Sequence, residues 1–175
     1  MTRSPIPIDD LRLRPLDIWA EQWFLLTAGD FARGEFNTMT VAWGSLGTLW
    51  NRPFAQVVVR PTRHTFGFME RHDSFTLCGF PESCRGALDL LGTRSGRDGD
   101  KIAAAGLTPV ASARVAAPSF AEADLVIECR KIYWADLDPS HFLDPAIEAN
   151  YPARDYHRVY FGEIVAVEGA PGRFA

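Results

Sequence analysis

The residues best suited to chemistry fall in three short segments. Asn37-Thr38-Met39-Thr40 runs into Val41-Ala42-Trp43-Gly44, and Arg60-Pro61-Thr62-Arg63-His64-Thr65 follows the apolar stretch Phe54 to Val59. An amide, hydroxyls and cations therefore stand at the ends of strand-like runs, where a phosphorylated aromatic ligand can be held. Arg60 and Arg63 flank a Pro-Thr pair and lead into a predicted helix start. Free backbone N–H groups and the helix dipole favour an anion there, and Arg63 and Thr65 add charge-assisted bonds. The third segment, Thr93-Arg94-Ser95-Gly96-Arg97-Asp98-Gly99-Asp100-Lys101, has glycines that let backbone amides approach a ligand, with donors at Ser95, Arg97 and Lys101. Each segment also has a plainer use, since Asn37 can make a local turn and a charged loop can simply be solvated. Their occurrence together in one chain favours ligand binding.

Strands must position these groups. The sequence predicts strands at Trp23 to Ala28, Thr38 to Leu46, Phe54 to Val59, Ser74 to Phe80, Leu125 to Tyr133 and Val159 to Val167. Turn signals at Gly29-Asp30, Arg33-Gly34 and Asn51-Arg52-Pro53 separate the earlier ones. Short helices fill the gaps: one capped by Thr65, one from Ser83 through Leu88 and Leu91 to Gly92, and a turn from Lys101 to Ala105 ended by Gly106. Neighbouring connections with few helices point to an antiparallel barrel.

The 175 residues fit one domain spanning 1–175, and the net charge of -4 excludes the basic footprint of a nucleic-acid binder. Arginine supplies nearly all the positive charge, so Lys101 and Lys131 stand out. A secretory leader and an apolar stretch of membrane-spanning length are both missing from the pattern, so a cytoplasmic protein is expected, with no membrane partner. Cys78, Cys84 and Cys129 form no CxxC pair, and Cys78 and Cys129, inside apolar strand-like runs, read as small apolar residues. His64 and His72 share no metal-ligand spacing with them, and no metal site is expected. Hydrolase elbow, phosphate-loop and dinucleotide-binding signatures are likewise missing.

The order Asn-Thr-Met-Thr-x-x-Trp-Gly at 37–44, Val-Val-Arg-Pro-Thr-Arg-His-Thr at 58–65, Ser-Gly-Arg-Asp-x-Asp-Lys at 95–101 and Asp-Tyr-His-Arg-Val-Tyr-Phe-Gly-Glu-Ile at 155–164 resembles the flavin reductase-like, FMN-binding split-barrel family, in particular its flavoredoxin-like branch. The resemblance spans nearly the whole chain. It implies a mainly β fold, a six-stranded antiparallel split barrel with short peripheral helices, that forms a homodimer with FMN near the interface. It places Asn37, Thr38, Met39 and Thr40 along the isoalloxazine and Trp43 beside it. Arg60, Arg63, Thr65, Ser95 and Lys101 fall at the phosphate end, with Gly96 in the same cofactor-binding loop. His141 is a candidate catalytic residue reaching over the flavin, although a histidine in a proline-bounded loop is also commonly exposed, and His157 is expected to make a structural hydrogen bond. The implied activity is that of an FMN-dependent oxidoreductase, which takes hydride from NAD(P)H and passes electrons to free flavin or another acceptor. The alternative is a flavoredoxin-like electron carrier served by a redox partner protein. Without a dinucleotide-binding fingerprint, a nicotinamide would stack on the flavin in a groove near His141 and Arg158.

Overall fold

The computed structural model describes residues 2–174. In chain order the elements are β1 (Ser4–Pro5), α1 (Pro15–Asp17), β2 (Phe24–Asp30), β3 (Glu35–Val41), β4 (Gly44–Leu49), β5 (Arg52–Val59), α2 (His64–Arg71) and β6 (Ser74–Gly79). There follow α3 (Arg85–Thr93), α4 (Lys101–Ala104), β7 (Pro109–Val110), β8 (Ser119–Phe120), β9 (Leu125–Asp136) and β10 (Arg158–Gly169). One antiparallel sheet runs β3-β2-β6-β9-β10-β5-β4, with β1 added to β10, while β7 and β8 pair separately.

The apolar runs form strands because they can be buried on both sides. Leu26 and Ala28 of β2 join a core with Phe75, Leu77, Ile127, Val57 and Tyr160, all fully buried inside the curled sheet. Leu25 faces the other way, into a second cluster with Cys78, Leu88, Leu91 and Val126 beneath α3. Period-two alternation thus fills two cores from one strand. Burial raises the thiol pKa of Cys78 to about 12, in keeping with a packing role.

The sheet stays open where the sequence predicted continuity. The single strand Thr38 to Leu46 is instead two, β3 and β4, which lie at opposite ends of the ladder with Ala42-Trp43 between them. Gly44 makes this turn possible: a Cβ there would collide with the Trp19 ring and the Gln56 carbonyl. The split, together with the added β1, turns the six expected strands into an eight-stranded open barrel.

Helix starts also differ from expectation. Arg63, not Thr65, holds the N-cap position of α2, with no side-chain cap, and Thr65 lies in the first turn. Ser83 falls in a 3-10 turn, Glu82–Cys84, ahead of α3, and Gly92 lies inside that helix rather than closing it. The cap of α4 is Asp100, whose Oδ1 accepts from the backbone N–H groups of Ile102 and Ala103 at 3.1 and 3.0 Å. Among the described residues no helix is long and apolar enough to cross a membrane.

Candidate functional site

β3 is a sheet edge, paired with β2 on one side only, so alternate backbone N–H and C=O groups on its other side are free for a ligand. Side chains on the strand alternate. Asn37 and Met39 share one face and line a small cleft of about 140 Å³ with Arg63, Thr65, Ser95 and Lys101. Thr38 points the other way and is fully buried; its hydroxyl accepts from Thr27 Oγ1 at 2.9 Å and donates to the Leu26 carbonyl at 3.1 Å. The Thr38 side chain is therefore closed to a ligand, and its carbonyl accepts from Asn37 Nδ2 at 3.3 Å. Thr40 Oγ1 donates to the Leu88 carbonyl at 2.5 Å, tying β3 to α3.

The small cleft is cationic. Arg63, Arg94, Arg97 and Lys101 line it together with His64, and among the described residues no carboxylate does. Mutual repulsion is offset by the C-terminal carbonyls of α3, the negative end of its dipole. Lys101 Nζ donates to the Leu91 and Arg94 carbonyls at 2.9 and 3.1 Å, and Arg63 Nη2 donates to the Gly92 carbonyl. Two of the three ammonium donors are thus used, leaving one for a ligand. Burial, and then the charge of Arg63, lowers the Lys101 pKa to about 8. Burial and Arg60 likewise lower that of Arg63. Burial, followed by the charges of Arg97, Lys101 and Arg71, lowers that of His64.

Hydrogen bonds lock the wall of this cleft. Asn37 Nδ2 donates to Thr65 Oγ1 at 2.6 Å, joining the sheet edge to the first turn of α2. Arg97 Nη1 donates to the Thr62 carbonyl at 3.2 Å, and its backbone N–H donates to Ser95 Oγ at 3.2 Å. Gly96 seats directly on Asn37; a Cβ would collide with Asn37 Oδ1 and lie 2.9 Å from His64 Cδ2.

A second cleft of about 240 Å³ adjoins the first through Met39 and Arg63, which line both. Val41, Ala42 and Val58 make it apolar, and Trp43, 49% exposed, stands at its rim with its ring 5.3 Å from that of His157. Burial, with help from Arg60, lowers the His157 pKa to about 4, so the imidazole is neutral at pH 7. Its Nδ1 lies 2.9 Å from the Tyr151 hydroxyl. His157 therefore makes a buried hydrogen bond and also lines the cleft, a second role that sequence reading missed.

Arg60 belongs to this apolar cleft and does not line the cationic one. It leaves β5 toward the segment before β10, donating to Asp155 Oδ1 at 2.8 Å and the Asn150 carbonyl at 2.7 Å, with its guanidinium 4.9 Å over the Tyr151 ring. The cationic cleft is thus built without Arg60. His141 is brought to neither cleft: it is exposed on a 3-10 turn, 3.9 Å from Asp138. Arg158 is also elsewhere, bonded to both oxygens of Asp136 and to Glu70, with Trp134 stacked on it.

A largely apolar cleft, with Arg60 and Arg63 on its wall, that shares Met39 and Arg63 with a cationic one suits a ligand with a planar ring system at one end and a phosphate at the other. The fold is that of an open, split barrel. Residues 19–174 match the family described as flavin reductase like domain, and the chain belongs to that family. Solved structures share the fold. The FMN-binding domain of a flavin reductases-like enzyme from Shewanella baltica OS155 superposes with a TM-score of 0.71 at 18% identity, over 96% of this chain and 77% of that one. Flavoredoxin of Desulfovibrio vulgaris (Miyazaki F) gives 0.67 at 23% identity, over 91% and 72%. Nitrilotriacetate monooxygenase component B from Bacillus cereus gives 0.67 at 17%, over 86% and 70%. No curated protein matches the sequence.

The contact between Gly96 and Asn37 makes a prediction about stability. Gly96→Ala must displace the loop or Asn37 and is expected to cost about 1–3 kcal/mol. Gly86→Ala, in α3 with nothing within 4 Å of its Cβ position, is expected to gain about 0.5–1 kcal/mol. Denaturant melts of the two variants provide the comparison, and equal effects would show that the loop yields freely.

Proposed function

We propose that this chain is a cytoplasmic, FMN-dependent oxidoreductase that takes hydride from NAD(P)H and delivers electrons to free flavin or another acceptor. The observation that carries the reading is the junction of the apolar and cationic clefts at Met39 and Arg63. FMN, when bound, supplies the redox centre, able to accept a hydride and release electrons. Arg63, Thr65, Lys101 and the Ser95-Gly96 backbone would hold its phosphate, and the free edge of β3 from Asn37 to Thr40 would meet its ring. Met39, Val41 and Val58 would exclude water from that ring, and Trp43 would pack beside it. His157, neutral at pH 7, adds no charge to the ring cleft. Free Cys78, Cys84 and Cys129 are compatible with a reducing compartment.

A homodimer is part of the proposal. Trp50, Tyr133 and Trp134 are about half exposed, and Trp50 and Tyr133 cluster with Phe161, an aromatic surface suited to a symmetric contact. Light scattering that returns a monomer mass while FMN stays tightly bound would contradict it.

Two functional predictions follow from the geometry. Lys101→Met is expected to weaken FMN by about 1.5–3 kcal/mol while leaving riboflavin, which lacks the phosphate, nearly unchanged. The pH dependence has a definite sign. Lys101 without ligand loses its proton near pH 8, whereas a bound phosphate favours the charged form, so binding above that pH takes up a proton. FMN affinity should therefore fall as pH rises above about 8, by up to about tenfold per unit, and riboflavin affinity should stay flat. Equal pH profiles for the two ligands would remove Lys101 from the phosphate site.

Anaerobic mixing with NADH or NADPH should bleach the flavin absorbance within seconds, and added free flavin should restore it. Reduction by dithionite but by neither nicotinamide over many minutes would favour the electron-carrier reading instead.

A further inference from the structure

A separate cleft of about 330 Å³ lies between the N-terminal segment and the C-terminal turn, and it shares no lining residue with the two clefts above. Leu13, Ile18 and Phe174 give it apolar walls, and Arg12, Arg14 and Arg173 bring cations to it. Its backbone is fixed on both sides: Arg12 N–H donates to the Phe174 carbonyl at 2.7 Å, and Ile18 N–H to the Arg14 carbonyl at 3.0 Å.

The three guanidiniums are only partly engaged, and the Arg14 side chain is 87% exposed. Arg12 donates from Nη1 to the Asp9 and Leu11 carbonyls. Arg14 meets Asp17 through Nε at 2.9 Å, and Arg173 donates from Nη1 to the buried Asp124 carboxylate. The remaining nitrogens of these forks have no protein partner among the described residues, and Arg12 has no carboxylate partner there at all. Like charges brought to one apolar-walled cleft with open donors favour an incoming anion, and a guanidinium fork matches a carboxylate in two-point geometry. The volume falls in the small-molecule range. The apolar walls select against a bare inorganic anion, whose hydration they cannot replace.

We propose that this cleft is a second binding site, for a small organic carboxylate with an aromatic or short aliphatic body. The proposal does not rest on flavin binding. A neighbouring chamber shares Gln22 and Arg173 and is bordered by Glu82 and by Arg85, whose guanidinium lies 3.2 Å over the Trp23 ring, so a longer uncharged body has room to extend.

Calorimetric titration of the full chain with benzoate and octanoate, each with and without saturating FMN, tests the site. Saturable binding of at least one acid is expected, unaffected by FMN. The matching uncharged amide, benzamide or octanamide, should bind at least about tenfold more weakly, as loss of a charge-assisted bond requires. The variant R12Q/R14Q spares the Arg173–Asp124 pair and should lose at least about tenfold in carboxylate affinity while its melt and FMN affinity stay unchanged. Inorganic phosphate should bind more weakly than either acid. Competition by FMN would place the acid in the flavin cleft and overturn the proposal. Equal affinity for acid and amide, an unchanged R12Q/R14Q variant, phosphate binding as tight as the acids, or no saturable binding of either acid would each overturn it as well.

Discussion

The organising constraint of this molecule is a sheet that does not close. β3 and β4 follow one another in the chain yet stand at opposite ends of the ladder, because Gly44 lets the backbone pass against the Trp19 ring and the Gln56 carbonyl. An unpaired edge is usually a liability that proteins cover or charge. Here two helices grip it instead, α2 through the Asn37–Thr65 bond and α3 through the Thr40–Leu88 bond. The edge is held in place by side chains while its outer backbone groups stay available, and both clefts border it.

Charge is distributed unevenly along that edge. At one end Arg63 and Lys101 face no carboxylate in their cleft and are steadied by helix carbonyls. At the other end Arg60 is neutralised by Asp155, and His157 is kept neutral by burial. Desolvation has opposite effects on solvation and on attraction: it lowers the pKa of a buried base, but it also strengthens each contact that base makes with an anion. The structure thus separates a region suited to negative charge from one suited to a neutral ring.

Much of this was legible in the sequence because β-branched and aromatic runs announce strands whichever fold they join. The break after Val41 was not drawn, since Gly44 is the one local signal in Val41 to Leu46 and its meaning depends on contact with Trp19, a residue from another element. The direction of Arg60 was hidden for a similar reason: position at a strand exit says that a cation is there but not which way it turns, and its partner Asp155 lies far along the chain. The inward orientation of Thr38 was readable, because strict alternation from Asn37 and Met39 puts it on the opposite face. Helix starts were misjudged by one or two residues, the usual fate of capping arguments when backbone geometry, rather than a side-chain oxygen, begins the helix.

The carbonyl grip on Lys101 and Arg63 bears on how long an occupant stays. A phosphate arriving at this end finds cations already oriented, so little ordering cost opposes its entry. It must, however, share those donors with the Leu91, Gly92 and Arg94 carbonyls, which hold the side chains in place before it comes and after it goes. Departure therefore leaves no stranded buried charge and no collapsed wall. A site built this way is ordered before anything enters it, and the carbonyls at the end of α3 are what order it.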